Sequence, residues 1–125
     1  MNNEQKIRLG IEENRPVEWF EIVYAESNKN GDGVPWANMD THPVFKNWIA
    51  KNKIDGKGKS ALVVGCGMGD DALALEELGF ETTAFDVSTS AIELCEKRFP
   101  NSKINFEQAN LLENISKWSQ KFDFV

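Results

Sequence analysis

The chain is poor in the residues that most often carry chemistry: in 125 residues it has one histidine, one tyrosine and two cysteines. With His42 alone, no histidine-rich metal site can be built, and none is expected. Cys66 and Cys95 match no metal-ligand spacing. One sits in a glycine turn and the other on a predicted helix, which argues against a disulfide. Two free thiols and no recognisable leader point to a reducing, cytoplasmic setting. No apolar run approaches the roughly 18 residues that span a bilayer, so no membrane association is expected. Lysine and arginine form no cluster and the net charge is -6, which argues against a nucleic-acid partner and leaves a small-molecule substrate as the better fit. There is no internal repeat and no low-complexity segment.

What is present is an ordinary globular composition, 41% hydrophobic and 27% charged, enough for one domain with a core. Its most informative stretch is Leu62-Val63-Val64-Gly65-Cys66-Gly67-Met68-Gly69-Asp70-Asp71. This reads as a buried strand running through a glycine turn into a helix. About twenty residues on comes Ala84-Phe85-Asp86-Val87-Ser88, a second apolar strand ending in a carboxylate. This layout lets a βαβ unit hold a nucleoside: glycines admit the ligand to the backbone, and the acid takes the ribose hydroxyls.

The remaining pattern divides the chain into a helical cap over residues 1–55 and a cofactor-binding half over 56–125, together one domain. Residues 1–15 are polar and are expected to fray or form a short helix. From Pro16, the apolar residues Val17, Phe20, Val23 and Tyr24 recur at helical spacing. A loop over 27–33 leads to Val34-Pro35-Trp36. Thr41-His42-Pro43 opens a second helix with Thr41 as candidate cap, and Val44, Phe45, Trp48 and Ile49 form its apolar face. Strands are expected at 60–64, 81–85, 103–107 and 122–125. Helices are expected at 70–78, ended by Gly79, and from Ser88 or Thr89 to about residue 98. A short helix or irregular crossover fills 110–118. The order implies an α/β fold: a Rossmann-like parallel sheet with flanking helices and an N-terminal helical cap, apparently truncated after the fourth strand. That strand, Phe122-Asp123-Phe124-Val125, is expected beside the first. Bare, it would be an apolar edge open to self-pairing, so a fragment or a homodimer through this strand is expected.

The turn itself selects among cofactors. Its glycines run G-x-G-x-G, with Asp70 where a dinucleotide-binding turn has its third glycine. Asp70 and Asp71 suit a helix N-terminus but repel a pyrophosphate seated there. This favours a cofactor without phosphate and with a positive centre, S-adenosylmethionine, over NAD.

Together, Val34-Pro35-Trp36, Pro43, the Leu62–Asp71 run and Phe85-Asp86-Val87-Ser88 followed by Ala91-Ile92 carry a family likeness. The chain resembles class I S-adenosylmethionine-dependent methyltransferases. More narrowly, it is similar to the branch of thiopurine S-methyltransferases and halide/thiol methyltransferases. The resemblance implies that Gly65, Cys66, Gly67 and Gly69 face the methionine and ribose part of the cofactor. Asp86, with Val87 beside it, takes the ribose. Asn110 stands where such enzymes often carry an aspartate for the adenine amine, and Leu111 offers a backbone amide to the ring. Trp19 and Trp36 cover the methionine end. Cys66 reads as a small filler, not a nucleophile, and His42 as a capping or surface residue. No catalytic residue is identified. The expected activity is in-line methyl transfer to a small molecule, with a thiol or other soft nucleophile fitting the lack of an obvious base. Two alternatives stay open at this point: a truncated or domain-swapped fragment without activity, and an NAD-linked oxidoreductase.

Overall fold

The computed structural model describes residues 18–113 and 115–125. The expectations for residues 1–15 and for Pro16 and Val17 lie outside that range. Helices α1 (Glu18–Ala25) and α2 (Pro43–Asn52) precede a strict alternation: β1 (Ser60–Val64), α3 (Asp70–Glu77), β2 (Glu81–Asp86), α4 (Thr89–Arg98) and β3 (Asn105–Gln108). A 3-10 turn at Ser116–Trp118 follows. The strands are parallel in the order β1-β2-β3, with Val64 level with Phe85 and Asp86 level with Gln108. Their carboxyl ends therefore share one edge of a Rossmann-like layer, the edge where such sheets bind ligands.

Three groups of packed side chains hold this arrangement. Ala61, Leu75 and Phe80 are buried on one side of the sheet, with Phe45, Ile54 and Phe124 packed against them. Ala72, Ala84 and Ile104 form a second group. The third joins the cap to the sheet layer: Val23 and Tyr24 of α1 meet Val34, Met68 of the glycine turn, and Ala91 and Leu94 of α4.

Several boundaries differ from the sequence-based expectation, each for a local reason. His42, not Thr41, caps α2, its Nδ1 accepting from the Val44 amide at 3.2 Å. The residue before a proline is held extended, which suits a cap position. β3 starts at Asn105 rather than 103. The Lys103 amide bonds to Glu76 and the Ile104 amide to the Ser102 hydroxyl, so both are taken before the ladder begins. The fourth strand is reduced to one parallel bridge, Ala61 to Phe124. It does lie beside β1, but the Ser60 amide bonds the Asp123 carboxylate at 2.8 Å instead of a backbone carbonyl. On α2, Val44 is 70% exposed and points away from the core. Among the described residues, no helix is long and apolar enough to cross a membrane.

Candidate functional site

A cleft of about 410 Å³ opens at the carboxyl ends of the strands. Its floor is Val64 at the end of β1 and Gly65 after it, with Phe85, Asp86 and Val87 at the end of β2. One wall is Ala109–Leu112 after β3, and the other is Phe20, Tyr24 and Trp36 from the cap. Gly65 has φ +62°, and a Cβ built on it would meet nothing within 4 Å. A ligand can therefore lie directly on this backbone.

Among the described residues, Asp86 is the one carboxylate lining the cleft, and it is 6% exposed. The Gly67 amide donates to its Oδ2 at 2.9 Å and the Ser88 amide to its Oδ1 at 3.0 Å. The side chain is thus fixed across the glycine turn, with a further lone pair on each oxygen for a ligand hydroxyl. Burial pushes its pKa above the ordinary 3.8; backbone hydrogen bonds from Ser88, Gly67 and Val87 work the other way, and the nearby Glu21 charge adds to the rise.

An adjoining chamber contains the rest of the turn, Cys66 through Asp71, with Asn38, Asp40 and His42 opposite. Tyr24, Trp36 and Gly65 line both chambers. The Tyr24 hydroxyl accepts from Trp36 Nε1 at 2.8 Å. It lies 2.9 Å from where a Cβ on Gly67 would sit, so that glycine is required by the cap pressed upon it. Burial holds the Tyr24 phenol protonated, well above its ordinary pKa.

Asp86, Val87, Gly65, Asn110, Leu111 and Trp36 thus converge on the first chamber, and Cys66, Gly67 and Gly69 on the second. Trp19 lines neither. It stacks on Phe20 at 3.8 Å between ring centroids and meets Trp36 edge-on at 6.1 Å, backing the wall from behind. Its buried Nε1 has no partner among the described residues. Phe20 and Tyr24 stand in the wall instead, and the signal for them was their four-residue spacing on one helix face. The Asn110 side-chain oxygen accepts from the Leu112 amide at 2.9 Å, closing a local turn, while Leu111 and Leu112 are 61% and 74% exposed at the rim. A hydrogen bond with Cys95 and burial raise the Cys66 thiol far above its ordinary pKa, consistent with an inert filler.

The charge argument from the turn holds for Asp71, whose carboxylate accepts from the His42 amide, but not for Asp70. Arg98 at the end of α4 makes a bidentate pair with Asp70, both bonds 2.9 Å, and also donates to the Met68 carbonyl. Asp70 is therefore neutralised and presents little repulsion to a ligand. The slot beside it is mostly apolar and holds the buried Asp86 carboxylate, which suits an adenosine.

These features define a nucleoside-binding α/β domain. A family model described as a methyltransferase domain matches residues 61–125, just over half of the chain. The chain belongs to this family of class I methyltransferases, whose cofactor is S-adenosylmethionine. Among solved structures, one described by the conversion of a disulfide bond into a thioacetal group during echinomycin biosynthesis is 30% identical, with a TM-score of 0.71 over 86% of this chain. This chain spans 43% of that protein's length. The glycopeptide N-methyltransferase MtfA, complexed with sinefungin, shares the fold at 19% identity and a TM-score of 0.51, covering 66% of this chain and 36% of MtfA.

Proposed function

We propose that this chain is the cofactor-holding part of an enzyme that transfers a methyl group from S-adenosylmethionine to a small molecule through a soft nucleophile, a thiol or related sulfur. The observation that carries the cofactor reading is Asp86: a buried, doubly anchored carboxylate facing a slot that Gly65 leaves open. The residues fit the nucleoside. Asp86 accepts from the ribose hydroxyls, the apolar floor and rim take the adenine, and the Asn110 oxygen has one lone pair left for the adenine amine. Cys66–Gly69, which line the second chamber, would hold the methionine arm. When bound, the cofactor supplies a methyl group already activated on a sulfonium. The chain's part is to orient it and keep water away, and the Phe20, Tyr24 and Trp36 wall does the latter.

The sulfur reading is supported by the 30% identical relative, which is described by the conversion of a disulfide bond into a thioacetal group. The Val34-Pro35-Trp36 segment, whose tryptophan lines both chambers, favours the thiopurine and halide/thiol branch. A second reading, self-pairing through the last residues, is favoured by Val125, 73% exposed beside the groove that Phe45, Leu75 and Phe124 line.

Calorimetric titration with S-adenosylhomocysteine, with NAD as control, tests the cofactor. Binding of the first alone is the expected result, and binding of NAD or of neither overturns the reading.

A further inference from the structure

The aromatic wall of the cleft is tied to its floor by one side chain. Glu21 lies on α1 between Phe20 and Tyr24, on the helix that carries two of the three wall residues. It reaches the first turn of α4, immediately after Asp86-Val87. There the Ser88 hydroxyl donates to Oε2 at 2.5 Å and the Ser90 hydroxyl to Oε1 at 2.7 Å, while the Ser90 amide approaches both oxygens at 3.2 Å. The packing of Val23, Tyr24, Val34 and Met68 that joins the cap to the sheet layer here is apolar and has no direction of its own. Hydrogen bonds from a carboxylate do have direction, and they set where along α4 the helix α1 sits. Ser88 takes part twice: it donates to Glu21 and its oxygen accepts from the Ala91 amide. Its own amide holds Asp86. The chain of contacts therefore runs Phe20 and Tyr24, Glu21, Ser88, Asp86, from the wall to the carboxylate on the floor.

We propose that Glu21 is a positioning residue for cofactor binding: it latches the α1 wall to the loop that presents Asp86, so the cleft opens by release of this latch and a bound nucleoside holds it shut. The coupling to a nucleoside rests on the functional reading above. The latch itself does not.

Two arms test it on the 125-residue chain. Hydrogen exchange without ligand compares wild type with Glu21→Ala and Glu21→Gln. In Glu21→Ala, amides of residues 18–25 exchange at least tenfold faster while those of β1 and β2 are unchanged. Glu21→Gln, which keeps one acceptor oxygen for Ser90, restores part of the protection. Unchanged exchange in α1, or an equal rise in α1 and the sheet, overturns the latch. Should Glu21→Ala not fold, Ser90→Ala, which removes one hydroxyl only, serves in its place with a smaller rise confined to α1. In the second arm, S-adenosylhomocysteine binds Glu21→Ala at least tenfold more weakly, chiefly through faster dissociation, and slows α1 exchange in wild type. Equal affinity and dissociation rate in the two proteins overturn the coupling. Failure of wild type to bind counts against the cofactor reading instead, and the exchange arm still decides the latch.

Discussion

Asp86 concentrates the chemistry of this chain in one residue. Its carboxylate is buried, so ionisation is opposed by lost hydration, and backbone amides offset only part of that. Under the proposed reading, ligand hydroxyls would supply what is missing. Asp86→Ala is expected to weaken S-adenosylhomocysteine binding by about 1.5–3 kcal/mol, the range for hydrogen bonds to a charged group; calorimetry reads this directly. Asn110→Ala should have a smaller effect, because its oxygen is already engaged by Leu112. The sign of the pH dependence follows from the raised pKa. Below it Asp86 is protonated and accepts less well, so affinity falls as pH drops through a window above 3.8. The same titration in Asp86→Asn should be flat. Without ligand, the raised value means the folded state binds the proton more tightly, so Asp86 favours folding in acid and loses that contribution as pH rises through the window. Glu21 behaves oppositely. Burial would raise its pKa, but hydrogen bonds from Ser88 and Ser90 win and hold it below 4.5. Its contribution is present above 4.5 and is lost as pH falls through the lowered value.

At the scale of elements, α4 organises both ends of the glycine turn's surroundings. Its first turn begins at Ser88, whose hydroxyl caps the Ala91 amide at 3.0 Å. Its last turn ends at Arg98, which grips Met68 and Asp70. Ser88→Ala removes a cap and is expected to destabilise the fold by about 1–2 kcal/mol in urea unfolding. Arg98→Ala leaves the Asp70 carboxylate, 17% exposed, without its partner. A loss of about 2 kcal/mol is expected, between surface and buried ion pairs, and the same melt can detect it. The elements themselves were mostly legible. β1 carries the apolar run Ala61–Val64 into the glycine turn, β2 follows Gly79 and ends on Ala84-Phe85-Asp86, and Ser88 stands where a helix cap belongs. The start of β3 was not legible, because Glu76, far away in sequence, takes the Lys103 amide. The cleft wall was half legible. Trp19 attracted the site role by residue type, yet the helix phase turns Phe20 and Tyr24 into the cleft and Trp19 behind them.

For the whole molecule, the outer side of β1 carries a cluster of aromatic rings. Phe124 is half-buried and meets Phe45, Trp48 and Phe80 at centroid distances of 5.7–6.4 Å. It is held to the sheet by a single bridge. Phe124→Ala is expected to destabilise the chain by about 2–3 kcal/mol, below the usual figure for a fully buried phenylalanine. Light scattering of the same protein reads its self-association. A dimer lost in Phe124→Ala supports pairing through this edge, and a monomer at all concentrations rejects it.

The amino-acid sequence by itself determined the parallel α/β order, the glycine turn and the acid one strand later. Each of these depends on neighbours in the chain: apolar runs, turn residues and the period between them. Only the tertiary structure decided which aromatics face the cleft, that Arg98 neutralises Asp70, and that Glu21 joins the cap to the loop after β2. Those contacts link residues 28 to 69 positions apart. Their geometry depends on how helices pack across the sheet, which no local pattern encodes.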